Sequence, residues 1–564
     1  MTSMRRRVRL ASVLVALVGA CGDDDGSPVE ADAGAADEGP TDAAADALVD
    51  SDGAGDDAGA DAGAAPPVVV VEESREACDD HNPLRNAYFG DLHVHTSYSF
   101  DARVFDVRAT PSDAYAFARG GELDIPPYDE AGNPARTIRL ARPLDFAAVT
   151  DHSEFFAETS ICYDPASGVY DSPTCVDYRA SSPVELDFRE LTLSVGLLRP
   201  SRTRVCRSER ELCDAQTLDT WQRTQAAAEE HYDRSSACSF TTFVAYEWSA
   251  SPGGSNLHRN VIFRTASVPR VPTNYIAAPS PEALWDALES GCIDTGTPCD
   301  AIAIPHNSNL ARGEMFDPIV ASASPLTREE AERRASREPL VEITQHKGTS
   351  ECLPPSLDPF SEDERCDFEQ LVVSRCTGEP TDEPYCVQSC ADGRPLGVGG
   401  CYWPGDFVRG ALRSGLSELV RIGANPFRFG LVGSTDTHKA SPGDTDERTW
   451  SGSIGYFDTD PRERLTFLTD RIPLSRLSAG GLAVVWAEEN SRDSLFEAMR
   501  RRETYATSGS RIVVRFFGGW QLPDALCEQP DLVEVGYRDG VPMGADLRLR
   551  TEGDGAPTFV LSAL

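Results

Sequence analysis

No apolar stretch of this 564-residue chain is long enough to cross a bilayer. A helical span takes roughly 20 such residues, and the one run of note, residues 10–20, falls well short. Positive charge is also scarce: 52 Lys and Arg stand against 91 Asp and Glu, a formal net charge of −39. That balance disfavours a nucleic-acid partner, because affinity for phosphate backbones needs clustered cations. There is no Gly-x-Ser-x-Gly elbow and no P-loop, so no covalent serine route or glycine-loop phosphate cradle is encoded. Zinc-knuckle spacing occurs only at Cys386-x3-Cys390, with no second pair or histidine to complete it.

The first residues carry a basic start, Arg5, Arg6, Arg7 and Arg9, before the short apolar run. Val18-Gly19-Ala20-Cys21 then resembles a bacterial lipobox, which implies cleavage before Cys21, lipid on that cysteine and a place in the bacterial cell envelope. An ordinary signal peptide ending near a cysteine is the alternative. Residues 22–66 hold 14 acidic residues and no Lys or Arg, the composition of a self-repelling tether that cannot form a core. The expected organisation is a signal peptide over 1–21, a tether over 22–77, a catalytic domain over 78–510 and a β-rich appendage over 511–564. In an exported chain the other 15 cysteines read as disulfide staples, several of them close in sequence (Cys162 and Cys175, Cys206 and Cys213, Cys292 and Cys299, Cys352 and Cys366, Cys386 and Cys390). Their odd number predicts at least one free thiol.

Patterning predicts strands near 87–96, 144–150, 242–248, 260–264, 300–305, 340–344 and 429–434. They alternate with helices near 111–119, 217–233, 281–290 and 406–422, as a parallel α/β sheet would. Long loops are expected at 154–214, 308–338 and 350–404, then a helix over 491–502 and β-structure to the end. Nearly every metal-binding side chain lies where a strand stops or starts: His93 and His95, Asp151 and His152, Glu247, His258, His306, Asp436 and His438. In a strand, residues i and i+2 share a face, so His93 with His95, and Asp436 with His438, form two same-face pairs. Imidazole and carboxylate without thiolate suit Zn, Mn or Fe, and with Asp101 added and Asp151 set aside the nine donors exceed what one ion can use. Gathered strand ends also point to a barrel-like closure.

His93-x-His95, Thr150-Asp151-His152, Tyr246-Glu247-Trp248, Ile304-Pro305-His306-Asn307-Ser308-Asn309 and Gly433-Ser434-Thr435-Asp436-Thr437-His438 together resemble the polymerase-and-histidinol-phosphatase (PHP) superfamily, and within it a branch of unknown function, family 3604. The resemblance covers roughly residues 86–510. It implies a distorted seven-stranded β/α barrel with up to three metal ions at the strand ends. By the same resemblance His93, His95, Glu247 and Asp436 hold one ion, Glu247, His258 and His306 a second, and His152, His438 and Asp101 a third. Glu247 and His258 are closer in sequence than in many members, and the Asp101 position varies in chemical type.

Further residues have expected roles. Asp151 orients the site from behind the ligands, and His346 protonates a leaving group or serves as a ligand. Arg259, Asn307 and Lys439 grip an anionic substrate; His81 and His231 stay outside the site. The expected activity is metal-dependent hydrolysis of a small anionic ester, a phosphoester first. Hydrolysis of a carboxylic ester or amide is the alternative, and a non-catalytic lipoprotein that retains metals is the reading from another class.

Overall fold

In this computed structural model, residues 68–564 are described apart from 181–188, 197–199, 318–324, 354, 356–362, 372–373, 376–385, 390–400, 403, 466–473 and 524. The signal peptide, the lipidation site Cys21, the tether up to residue 67 and Cys390 lie outside them. Residues 66–564 form one compact unit. No helix among the described residues is long and apolar enough to cross a membrane.

The core strands are β1 (Asn86–Asp91), β2 (Phe146–Ala148), β3 (Thr241–Phe243), β4 (Ala245–Trp248), β5 (Arg259–Phe263), β6 (Ala301–Pro305), β7 (Leu340–Gln345), β8 (Gly430–Gly433), β9 (Leu482–Ala487) and β10 (Thr504–Thr507). They form three separate sheets: β10-β9-β1-β2-β3, β4-β5-β6, and β7-β8 with the short strand Gly348–Thr349. Residues alternate between two apolar clusters. Tyr88, Phe146, Phe243, Ala245, Ile262, Ile302, Leu340, Val432 and Val485, one from each of β1 to β9, meet in a shared interior with Leu495 and Phe496 of α6 (Arg492–Arg500). Phe89, Ala147, Val261 and Val484 face outward into a second cluster beneath α1 (Pro111–Ala118), α2 (Arg210–His231) and α3 (Pro281–Gly291). Burial on both faces explains why these strands read as apolar runs. The helix α5 (Val408–Ile422) packs against β7 from outside, through Val408 and Ala411 on Val341.

Two expectations need correction. The architecture is mixed α/β, and among the described residues no ladder closes the sheets into a barrel. Nor is it uniformly parallel. β1-β2-β3 and β7-β8 are parallel, but β9 runs antiparallel to β1 and β10, and β5 runs antiparallel to β4 and β6. The reason at β5 is length: the ten residues from 249 to 258 are too few for a parallel crossover.

The long segments hold more regular structure than expected. Residues 154–214 include the helices Phe156–Ile161, Pro173–Ala180, Arg189–Gly196 and Arg204–Ser208, and 308–338 include α4 (Arg328–Arg337). Four of the close cysteine pairs are bonded, Cys162–Cys175, Cys206–Cys213, Cys292–Cys299 and Cys352–Cys366. A fifth bond, Cys78–Cys238, spans 160 residues, and Cys527 is a free, exposed thiol. The tail is not purely β: α7 (Leu532–Asp539) packs on the antiparallel strands Val514–Gly519 and Thr558–Ala563.

Candidate metal centre

Most donors stand just past a strand end, with Glu247 inside β4, His258 just before β5 and Asp101 in the short helix Phe100–Val104, and buried polar links between neighbouring ends hold them there. Gly90 brings β1 against β2; a side chain on it would meet the Phe146 ring and carbonyl at 2.3–2.5 Å. Asp91 accepts hydrogen bonds from the backbone N–H groups of His93, Thr435 and Gly443 and from the Thr435 hydroxyl, tying the end of β1 to that of β8. Asp151 accepts from the Thr96 N–H at 2.6 Å and its hydroxyl at 2.7 Å, tying β1 to β2. Asp151 is therefore a scaffold group directed at Thr96, and burial pushes its carboxyl up to about 6. Because β5 is antiparallel, its start lies at the same end, which is how His258 enters.

Seven of the nine histidines gather here. His93 Nε2 lies 3.2 Å from Glu247 Oε2 and 3.1 Å from Asp436 Oδ1, and His95 Nε2 lies 3.3 and 3.1 Å from the same atoms. His152 Nε2 and His438 Nε2 meet Asp101 Oδ2 at 3.0 and 2.9 Å. Glu247 Oε1 faces His152 Nδ1 at 3.3 Å, His258 Nδ1 at 2.7 Å and His306 Nε2 at 3.4 Å. His346 Nε2 is 3.3 Å from Asp436 Oδ2. All except Asp101 and His258 are buried, and those two are largely so. His81 and His231 lie elsewhere, on Glu488 and Ser112.

The outer partners fix four tautomers. His93 Nδ1 donates to Glu342 Oε2 at 3.0 Å, and His438 Nδ1 to the Asp436 carbonyl at 2.9 Å. The Ser99 hydroxyl is spent on Asp101, so His95 Nδ1 donates to Ser99; the Ser249 hydroxyl is spent on Glu247, so His152 Nδ1 donates to Ser249. In the neutral rings all four Nε2 lone pairs then face carboxylate oxygens. Such contacts repel unless positive charge lies between them. Two donors bound to one ion at about 2.1 Å and 90–109° sit about 3.0–3.4 Å apart, which matches these spacings. Among the described residues, His306 and His346 have no hydrogen-bond partner on either ring nitrogen, and Asp436 Oδ1 has none. Buried groups of this kind are ordinarily satisfied. The residues present fit a cation cluster.

The electrostatics agree. Against the opposing effect of burial, Asp436 and Glu342 hold His93 well above the usual range, and Asp101 and Glu247 lift His152 to about 10. Glu247, Asp101 and Asp436 are held well below theirs, again against burial, by the surrounding histidines and, for Asp436, by Lys347. Burial and a neighbouring positive charge depress His306 to about 4 (His93) and His346 to about 3 (Lys347).

Four compact groups emerge: His95, Asp101, His152 and His438; His93, His95 and Asp436; His93, Glu247 and His306; His346, Asp436 and His438. His258 touches Glu247 but belongs to none of them. His346 stands among the donors, a neutral ring rather than an exposed acid. Two expected substrate grips are committed elsewhere. Arg259 is buried on Glu338 at 2.9 Å and over Trp248, and the Lys439 ammonium is enclosed by Asp458, Ser451 and Thr459. Asn307 is buried in a left-handed conformation, bonded to Asn309. Glu342 and Lys347 were missed. Their positions within and just after the β7 run Leu340-Val341-Glu342-Ile343-Thr344-Gln345 were the available signal.

Fold and site define a mixed α/β protein whose strand ends gather a buried histidine–carboxylate cluster able to hold metal. The chain belongs to the family described as Protein of unknown function (DUF3604), whose model matches residues 82–564. No curated protein matches it. A solved two-domain protein from Bacteroides vulgatus, containing a predicted PHP-like metal-dependent phosphoesterase, is similar at 10% identity over 78% of this chain and 69% of that one. Its TM-score of 0.27 is too low to argue from.

Proposed function

We propose that this protein is a metal-dependent hydrolase of small anionic esters, a phosphoesterase first. The observation that carries the reading is the convergence of seven histidines on the oxygens of three carboxylates. Glu247 offers one oxygen to His93 and His95 and the other to His152, His258 and His306. Asp436 is shared by His93, His95 and His346, and Asp101 by His152 and His438. A cluster of this kind suits two or three divalent ions (Zn, Mn or Fe). Bound there, such ions supply Lewis acidity and lower the pKa of water toward neutrality.

The chain's own residues do the rest. Glu342, Ser99, Ser249 and the Asp436 carbonyl hold the Nδ1 protons outward, so the Nε2 lone pairs are aimed before any ligand arrives. Asp91 and Asp151 keep the strand ends in register, and burial excludes bulk water. The five disulfides among the described residues suit an oxidising compartment, consistent with the envelope location and the Cys21 anchor we propose.

The test is metal analysis of the purified protein, followed by assay on a chromogenic phosphodiester, a phosphomonoester and a carboxylic ester. Phosphoester turnover that depends on the ions, and is lost with them in His93→Ala, is expected. A fully loaded protein that turns over none of the three would refute the hydrolase reading; turnover of the carboxylic ester alone would move it to the alternative class.

A further inference from the structure

Only two of the 52 basic side chains are lysines, and each directly follows a histidine of the cluster: Lys347 after His346, Lys439 after His438. Their surroundings are opposite. Lys439 is fully buried, and its ammonium meets Asp458 Oδ1 at 2.9 Å, the Ser451 carbonyl at 2.6 Å and Thr459 Oγ1 at 3.0 Å. Three oxygens satisfy its three N–H groups, so it serves the scaffold.

Lys347 is 26% exposed, and among the described residues its ammonium has one partner, Asp436 Oδ2. Its backbone is pinned: the N–H donates to Gln345 Oε1, and the carbonyl accepts from Asn309 Nδ2 at 3.1 Å. The turn that presents it needs Gly348, at φ +94°, where a side chain would meet the Glu369 carbonyl at 2.8 Å. A fixed backbone thus carries a solvent-reaching cation whose counter-charge is a carboxylate of the cluster.

Asp436 is also the carboxylate on which His93, His95 and His346 converge. Cation binding there would remove the charge that Lys347 pairs with and put positive charge in its place. The ammonium would then stand at the outer edge of a cationic cluster, its base held and its head without a counter-charge. A compact three-donor ammonium suits a tetrahedral oxyanion. We propose that Lys347 is the anion-binding residue of the site: it rests on Asp436 in the metal-free protein and turns to the non-bridging oxygens of a phosphoryl group once the cluster is loaded. This rests on the hydrolase reading for why such a group arrives, but the binding itself is separately testable.

With one exposed and one enclosed lysine, amine acylation followed by peptide mass spectrometry reads Lys347 directly, with Lys439 as an internal control. Labelling of Lys347 should be slow in chelator-treated protein, faster after metal loading, and suppressed again by inorganic phosphate but not by chloride at equal ionic strength. In parallel, Lys347→Met should keep the wild-type metal content while its affinity for inorganic phosphate falls about 10- to 100-fold, and Lys347→Arg should restore most of it. Labelling that ignores phosphate, phosphate affinity unchanged in Lys347→Met, or loss of metal from that variant would each overturn the proposal. Lys347-dependent phosphate binding in a protein that hydrolyses no ester would refute the hydrolase reading alone and leave this one standing.

Discussion

Glu342→Gln isolates what a buried carboxylate behind a histidine contributes. In the wild type, Glu342 Oε2 accepts from His93 Nδ1 at 3.0 Å, and the His93 ring presents Nε2 to Glu247 and Asp436. The amide keeps the shape of the side chain and an acceptor oxygen, so His93 can remain in place; it loses the negative charge that makes Nε2 a stronger donor. Losses of this kind cost about 10- to 100-fold in metal affinity, or about 1.4–2.7 kcal/mol. Competition against a chelator should therefore show the variant releasing metal at correspondingly lower chelator concentration. The stability gained on metal loading should shrink by the same amount, because ligand binding to the folded state alone stabilises by mass action. A chelator midpoint equal to wild type would refute the reasoning, as would a loss of stability confined to the metal-free protein, which would make Glu342 a packing group.

Lys439→Met should destabilise the fold by about 3–5 kcal/mol, because it leaves buried Asp458 unpaired; denaturant unfolding measures this, and an unchanged midpoint would contradict the scaffold role. Breaking Cys78–Cys238 by paired serine substitution should cost about 5 kcal/mol, the loop entropy of a closure this long, read in the same experiment. Glu158 is raised to about 7 by burial, against the Thr203 hydroxyl that donates to it at 2.6 Å. Its unfolded value is near 4.5, so the folded state holds the extra proton between these values. Stability should fall as pH rises through that window and level off above it. Glu158→Gln should gain about 1–3 kcal/mol relative to wild type between pH 5 and 8; a difference that does not change with pH would count against this.

Most donors were legible because they combine two local signals, an apolar run and a polar residue where the run stops. His93, His152, Glu247, His306 and Asp436 all fit that pattern, and the close cysteine pairs were visible in the same way. Arg259 and Lys439 were misassigned for a physical reason: adjacency to a ligand says nothing about direction, and successive side chains in extended backbone point apart. Glu342 and Lys347 join the cluster only because β7 lies beside β8, a relation between residues some 90 positions apart in sequence. The strand β9 was missed although Leu482-Ala483-Val484-Val485-Trp486-Ala487 is an uninterrupted apolar run. Its antiparallel insertion beside β1 breaks the alternation that guided the reading. Helices within the long segments were hidden by their brevity, most being eight residues or fewer.

β6 and β7 share the interior cluster through Ile302, Ile304 and Leu340, yet no backbone ladder is described between them. At the cluster end the gap is crossed by Asn309, whose side chain donates to the Lys347 carbonyl at 3.1 Å and accepts from the Ser350 hydroxyl at 3.0 Å. A junction fastened by the side chain and backbone N–H of one residue opens more readily than one laced by a ladder. The amides along this seam should therefore exchange with solvent before those of β1 or β9.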